Sequence, residues 1–282
     1  VTSTAELFDP STGTWSTAAP LPRALGWRWG IVALSTTTVL VVDGDLSVRW
    51  TPSGGWMATL PPVGGARTHA SLTRLADGRA LMVGGTVAGL ESSTAEIYDP
   101  AGNSWTATGA LTTARYQHAA ALLGDGRVLV LGGVAAGAPI VGAELFDPAT
   151  GKWTATGSMK VARRYASATT LLGGAVLVAG GLPGINAASS CERFDPVSGS
   201  FSLTGSMAKP RAGHDAVRLS DGRILVGPTG AYDPQAELFD PTTSTWSTAP
   251  TNTGRDTPIV APLPGGRALL AGGFLPSGNS TT

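Results

Sequence analysis

Apolar and polar positions within residues 115–157 alternate between short apolar runs and turn signals. The second run is apolar at almost every position, as in a strand covered on both faces. Gly124-Asp125-Gly126 marks a tight hairpin, since glycine accepts the positive φ that such turns demand. The pattern predicts four antiparallel strands, each too short for a helix. Their runs are HAAALL (118–123), RVLVLGG (127–133), AELFDP (143–148) and KWTATG (152–157).

The same four-run unit recurs six times along the chain. AELFDPATGKW at 143–153 returns as AELFDPSTGTW at 5–15 and as AEIYDPAGNSW at 95–105. A single sheet of this kind cannot bury its apolar face, whereas sheets packed radially against one another can. We therefore predict an all-β protein, a six-bladed β-propeller of four-stranded antiparallel blades. The large aromatic residue expected to fill the space between blades recurs as Trp15, Trp56, Trp105, Trp153, Phe201 and Trp246.

The two chain ends carry complementary halves of one repeat. The chain starts with a third and a fourth strand and finishes with a first and a second. We expect these halves to form one blade shared between the N- and C-termini, which closes the ring and leaves no open sheet edge. The alternative is a segment of a longer array, because GNSTT at 278–282 resembles the start of another repeat. In a single domain spanning 1–282, the predicted blades are 18–59, 60–109, 110–157, 158–205, 206–250 and the closing blade of 251–282 plus 1–17.

A glycine pair precedes the third strand in most repeats, as at Gly84-Gly85, Gly132-Gly133 and Gly180-Gly181. A glycine pair after an apolar strand, followed by Glu, an aromatic residue, Asp-Pro and Trp at this spacing, resembles the kelch repeat. The resemblance covers essentially the whole chain and implies a propeller fold. It implies no single function, because kelch propellers include binding adaptors, lyase-like and epimerase-like proteins, and copper oxidases.

Composition narrows the classes of partner. Only 13% of residues are charged, with 19 basic against 19 acidic, which argues against nucleic-acid binding. No apolar stretch approaches the roughly 18 residues that span a bilayer, so membrane insertion is not expected. The single Cys191 cannot form an internal disulfide. Low charge, few Lys and many Thr and Gly favour a secreted or cell-surface bacterial protein.

An Arg before the first strand and the Glu that opens the third strand occur together. The one repeat with Val48 in the Glu position has Gly26 in the Arg position, with Arg23 close by. A partly buried ion pair predicts that both charged residues are lost together, because a buried charge without its partner is strongly destabilising. A ring of Arg that binds an acidic ligand is the alternative. The predicted structural pairs are Arg67–Glu96, Arg115–Glu144, Arg163–Glu192, Arg211–Glu237 and Arg255–Glu6.

The segment directly after the Arg position differs between repeats, and variation on a constant scaffold is typical of a binding function. Trp27 and Trp29 alternate along the chain, so on a strand their indoles face the same side. They would form a platform for a sugar ring or an aromatic ligand; the alternative is that they fill space left by the missing Arg and Glu. The candidate ligand-binding residues are Trp27, Arg28, Trp29, Tyr116, His118, Tyr165 and His214.

Metal and nucleophile chemistry has little support in the sequence. His118 and His214 share a register, whereas His69 is offset by one residue and faces the other side of its strand. No HExxH motif or His–carboxylate cluster accompanies them. Cys191 takes a position filled by Ala in other repeats, which predicts a small buried residue rather than an activated thiol. We therefore predict no catalytic residue, no metal and no cofactor.

Three functions stay open. The first is a binding module that recognises a carbohydrate, a peptide or a protein at one mouth of the propeller channel. The second is a metal-independent epimerase- or lyase-like enzyme acting on a sugar or small polar substrate, with Arg and His as acid, base and anion clamp. The third is a structural repeat segment or an excised or engineered scaffold.

Overall fold

The protein is all-β in the computed structural model, which describes residues 3–26, 30–229, 235–251 and 257–272. The helical content of this part of the chain is one 3₁₀ turn, Pro264–Gly266. The chain forms two compact units. The first contains residues 1–117, 126–128 and 146–154, and the second contains residues 118–125, 129–145 and 155–282.

Four-stranded antiparallel meanders make up most of both units. The first unit holds sheet 1, Gly30–Ala33, Val39–Asp43, Leu46–Thr51 and Gly55–Ala58, and sheet 2, Ser71–Arg74, Ala80–Val83, Ala95–Asp99 and Ser104–Ala107. Sheet 3 has residues assigned to either unit: Ala119–Leu122, Val128–Leu131, Ala143–Asp147 and Lys152–Ala155. The second unit holds sheet 4, Ser167–Thr170, Val176–Ala179, Cys191–Asp195 and Ser200–Thr204, and sheet 5, Ala216–Arg218, Ile224–Val226, Gln235–Asp240 and Thr245–Pro250.

Shorter pairings lie outside these sheets. Two terminal hairpins are two-stranded sheets, Ala5–Asp9 with Thr14–Ala18 and Ile259–Leu263 with Arg267–Ala271. Small ladders also form from the segments between the second and third strands of sheets 2 and 3. Thr86–Val87 pairs with Leu90–Glu91 and with Arg67–Thr68, which precedes the first strand of sheet 2, and Val134–Ala135 pairs with Ala138–Pro139.

The second strand of each sheet is the centre of the core. Every residue of Ala80–Val83, Val128–Leu131, Val176–Ala179 and Ile224–Val226 is buried, as the unbroken apolar runs predicted. In the first unit Leu40 and Val42 pack with Met82 of the next sheet, and in the second Val176 and Val178 pack with Leu129 and Leu131. Neighbouring repeats therefore share their apolar faces, each covering the other.

At the glycine pair, the backbone of the next repeat comes within hydrogen-bond distance. Gly85 N–H donates to the Arg115 carbonyl at 2.9 Å, and in the second unit Gly181 N–H donates to the Arg211 carbonyl at 2.8 Å. Gly85 has φ of 86°, and a Cβ there would lie 2.6 Å from the Thr68 carbonyl oxygen. Glycine is required at this position because of both the positive φ and the close approach.

The fourth-strand aromatic residue pairs with an aromatic residue on the third strand. Ring centroids are 5.2 Å apart for Tyr98–Trp105 and 4.8 Å for Phe194–Phe201. The indole of Trp246 donates to the Gly205 carbonyl at 2.8 Å, beyond the edge of its own strand pair. Burial is uneven, however: Trp105 is buried whereas Trp15 in the N-terminal hairpin is 47% exposed. Inside the four-stranded sheets, Trp105 and Phe201 are buried as a packing role requires, whereas Trp56, Trp153 and Trp246 are half-buried.

Candidate ligand-binding surface

Three of the predicted Arg–Glu pairs are buried salt bridges. Arg163 Nη2 lies 3.0 Å from Glu192 Oε1, and both side chains are fully buried. Arg163 Nη1 also donates to the carbonyls of Gly180 and Ser190, at 2.6 and 2.8 Å. Arg67 contacts Glu96 and Arg211 contacts Glu237 with equivalent burial. Each carboxylate accepts two more backbone N–H groups, which for Glu192 come from Lys160 and Val161.

The other two predicted pairs are described in part. Arg115 and Glu144 are both buried. Glu6 is exposed, and Arg255 lies outside the described residues. In the repeat without the pair, Arg23 Nη1 lies 3.0 Å from Asp43 Oδ2, and that carboxylate oxygen also accepts the Gly26 N–H at 2.7 Å. Asp43 stands where other repeats have the glycine pair, so a different acid serves the first repeat, a substitution that the spacing did not predict.

Because of these contacts, the paired guanidinium groups are not available to bind an acidic ligand from solution. Arg67, Arg163 and Arg211 are at most 3% exposed, and their donors face carbonyl and carboxylate oxygens within the protein. A charge held this way is compensated and desolvated, because an unpaired one would be strongly destabilising. A ring of these Arg residues that binds an acidic ligand is therefore not supported, and the residues that follow each Arg are the remaining candidates.

A backbone feature that the sequence did not predict marks the second residue after each Arg, here termed the second position. Its φ is positive in all five repeats where the structure describes it: His69 (60°), Gln117 (57°), Tyr165 (56°), Gly213 (69°) and Thr257 (50°). L-residues adopt this left-handed region infrequently, and residues held there cluster at functional sites. Only Gly213 gave a signal in the sequence.

In the first unit the second position belongs to a polar and aromatic cluster. His69 packs edge-to-face on Tyr116 with ring centroids 5.8 Å apart, and its Nδ1 lies 3.0 Å from Thr68 Oγ1. Thr68 Oγ1 is also 2.9 Å from Thr86 Oγ1. The two rings are half-buried, so each keeps solvent-accessible surface. Hydroxyl, imidazole and phenol groups meet here, although the sequence predicted Tyr116 as a binding residue and not its partner His69.

In the second unit two predicted residues separate. Tyr165 is half-buried, with the Arg164 guanidinium carbon 5.8 Å from its ring centroid. His214 is buried at 7% exposure, and its Nε2 lies 2.9 Å from Ser167 Oγ. Burial, together with the charge of Arg211, lowers the pKa of His214 to about 3. His214 is therefore a neutral residue of the interior that contacts the first strand of sheet 4, and its burial distinguishes it from the half-buried Tyr165.

The remaining predicted binding residues do not form a described cluster. His118 is half-buried at the start of sheet 3. Trp27, Arg28 and Trp29 lie outside the described residues.

Three observations bear on acid–base and nucleophilic chemistry: the size of a cavity, the contacts of Asp215 and the burial of Cys191. The cavity bordered by Arg67, Ser71 and Met82 has a volume of about 10 Å³, room for about one water molecule. Asp215 turns away from His214 and accepts the Val260 N–H at 2.9 Å; burial raises its pKa. Cys191 is buried, and burial raises the pKa of its thiol to about 11, which keeps it protonated.

Two further observations concern metal binding and membrane-spanning helices. In the part of the chain that the structure describes, no three His, Cys, Asp or Glu residues are grouped so that they could hold a metal ion. The same residues contain no helix of the length and apolarity needed to cross a membrane.

Fold and repeat chemistry together define the class, a kelch-type propeller fold. Residues 115–160 match the model of the Kelch motif, so the predicted resemblance is confirmed for that repeat. The chain is similar to the solved structure described as "Structure of YjhT", with a TM-score of 0.73 and 15% identity over 93% of this chain and 94% of that one. A comparison with curated proteins finds no match. Because 726 solved chains share similarity with this fold, the fold alone selects no function.

Proposed function

We propose that the protein is a binding module that recognises a carbohydrate or a peptide through the loops that enter the innermost strands. The observation that carries this proposal is the second position, where a constant left-handed backbone presents a different side chain in each repeat. A fixed scaffold with varied side chains is the arrangement by which loops acquire specificity. The kelch-type fold supports an interaction role in general terms.

The surface proposed for the ligand combines Trp27, Arg28, Trp29, Tyr116, His118 and Tyr165. Aromatic faces and neutral hydrogen-bonding groups suit a sugar ring or a peptide. His214 drops out of this surface because it is buried. The enzyme alternative has less support, since the buried His214 with its low pKa does not lie in a pocket with room for a substrate.

A glycan and peptide array tests the proposal. Tyr116→Ala and the double variant Trp27→Ala, Trp29→Ala should each lose array signal by about tenfold or more, while thermal unfolding stays almost unchanged. The expected loss corresponds to about 1.4 kcal/mol of binding free energy or more. A large drop in thermal stability without a change in binding per folded molecule would instead show that these aromatic residues fill space. A wild-type protein that binds nothing on either array would contradict the proposed function.

We further propose that residues 1–282 form one propeller of six blades in which the two terminal hairpins complete the sixth. The hairpin 5–18 repeats the sequence of the third and fourth strands of sheet 5. Its Leu7 and Trp15 are 38% and 47% exposed, whereas the matching Leu238 and Trp246 of sheet 5 are half-buried. Apolar side chains left in this state favour pairing with a further strand.

A further inference from the structure

We propose that the second position is the specificity-determining position of each repeat, and that it selects a neutral, hydroxyl-rich ligand of the glycan class. This inference rests on the proposed binding function and adds to it the residues that discriminate between ligands. Four of its five described occupants are not glycine: His69, Gln117, Tyr165 and Thr257.

Stability does not account for these side chains. Glycine adopts positive φ without a steric penalty, and this chain uses it at most other positions with that backbone, including the glycine pairs. A β-branched residue such as Thr257 at φ of 50° is a pronounced outlier. If the second position served only the fold, glycine would be the least strained choice in every repeat, yet only Gly213 takes it. The backbone preference alone therefore does not explain the side chains that occupy the second position.

The backbone at the second position is held in place by the neighbouring repeat. In the first unit Gln117 N–H donates to the His69 carbonyl at 3.2 Å, and in the second unit Gly213 N–H donates to the Tyr165 carbonyl at 2.9 Å. Second positions of consecutive repeats are thus bonded directly through the main chain. Side chains can differ there without moving the scaffold, which is the requirement for a specificity position.

The chemistry of the occupants indicates the ligand class. Imidazole, amide, phenol and hydroxyl groups donate and accept hydrogen bonds without a fixed charge. Around His69 the Thr68 and Thr86 hydroxyls add further donors and acceptors, and the Tyr116 ring adds an aromatic face. The guanidinium groups of Arg67 and Arg163, two residues before His69 and Tyr165, are already neutralised by buried Glu partners. Neutral hydroxyl groups on a ring that stacks on tyrosine match this set better than an acidic peptide does.

Glycine substitution separates ligand selection from folding. Gln117→Gly and Tyr165→Gly remove the side chain and relieve the left-handed strain, so we expect an unchanged or raised melting temperature. Both variants should bind at least tenfold more weakly to the array glycans that the wild-type protein binds. Gln117→Asn keeps an amide and a residue that tolerates this φ, so it should retain more binding than Gln117→Gly at similar stability.

Ser244→Gly is the matched control. Ser244 has φ of 58° in the turn between the third and fourth strands of sheet 5, away from the second positions in the chain. Strain relief there should raise stability and leave glycan binding unchanged.

The outcomes distinguish this inference from the function on which it rests. Wild-type protein that binds neither glycans nor peptides contradicts the proposed function and the inference together. Glycan binding that survives in both glycine variants contradicts only the inference, as does a loss of stability large enough to explain weaker binding. Wild-type protein that binds peptides and no glycan overturns the ligand class.

Discussion

Each buried Arg–Glu pair ties the loop before the first strand to the start of the third strand. In the second unit Arg163 joins Glu192 to the carbonyls of Gly180 and Ser190, so one guanidinium satisfies three acceptors in the interior. A charge desolvated to this degree is stable only while all its partners remain.

Removal of one partner should therefore be costly. Arg163→Ala is expected to lower the free energy of unfolding by about 3–5 kcal/mol, because Glu192 stays buried without its cation. The exposed pair Arg79–Asp77 is the control, and Arg79→Ala should cost no more than about 1 kcal/mol. Urea unfolding of the three proteins measures both values. Equal effects at the two sites would show that the buried pair has no special role.

The buried His214 makes stability depend on pH. Burial lowers its pKa to about 3 from an ordinary 6.5, so below pH 6.5 the unfolded chain binds a proton that the folded chain does not. Stability should fall as the pH decreases from 6.5 towards 4, by up to about 1.4 kcal/mol per pH unit from this residue. His214→Gln should remove that component from the slope of unfolding free energy against pH. Identical slopes for wild type and variant would refute the burial of a neutral imidazole.

At the residue scale, a contact could be predicted from the sequence where two residues occur together or are lost together. The joint presence of Arg and Glu, and their joint loss at Gly26 and Val48, is visible in one sequence. The positive φ of Tyr165 or Thr257 is not, since neither residue type favours that backbone. The burial of His214 was not predicted, because the position of a residue within the repeat does not indicate whether the next repeat covers its side chain.

At the scale of the element, each sheet is a meander whose second strand is covered on both sides. Such strands were predictable from uninterrupted apolar runs and from hairpin glycines. The contact between repeats depends on the glycine pair, through which the next repeat's backbone passes within hydrogen-bond distance.

A single methyl group at this contact should be poorly tolerated. Gly85→Ala places a Cβ 2.6 Å from the Thr68 carbonyl oxygen and 2.8 Å from the Ala70 nitrogen, both backbone atoms with little freedom to move. Gly89 has nearly the same φ, 81° against 86°, and nothing within 4 Å of its Cβ position. Gly89→Ala should cost about 1–2 kcal/mol for the left-handed backbone alone, and Gly85→Ala clearly more. Thermal denaturation of the two variants isolates the clash, and equal melting temperatures would argue against it.

At the scale of the whole molecule, the proposal that the two terminal hairpins form one blade makes a prediction about the register between them. In sheet 2 Leu81 lies opposite Ile97. The same register in the proposed closing blade places Leu269 opposite Leu7, with side chains on one face of the sheet.

A cysteine pair tests this closure. Leu7→Cys with Leu269→Cys should form an intramolecular disulfide under mild oxidation, seen as a monomer of altered mobility on a non-reducing gel. Leu7→Cys with Ala268→Cys should not, because a shift of one residue turns the side chain to the opposite face. Cys191 will not interfere, since burial raises its thiol pKa to about 11. Exclusive formation of cross-linked dimers would contradict closure within one chain.

The sequence by itself determined the repeat, the strand order within each sheet and the partners of the buried ion pairs. These properties depend on spacing along the chain and on residue types that occur together. Only the tertiary structure decided which side chains stay accessible and which backbones are left-handed. Both depend on the adjacent repeat, about thirty to fifty residues away, whose main chain fixes Gly181 against Arg211 and Tyr165 against Gly213. Contacts over that distance have no local pattern, which is why the second position became visible only in three dimensions.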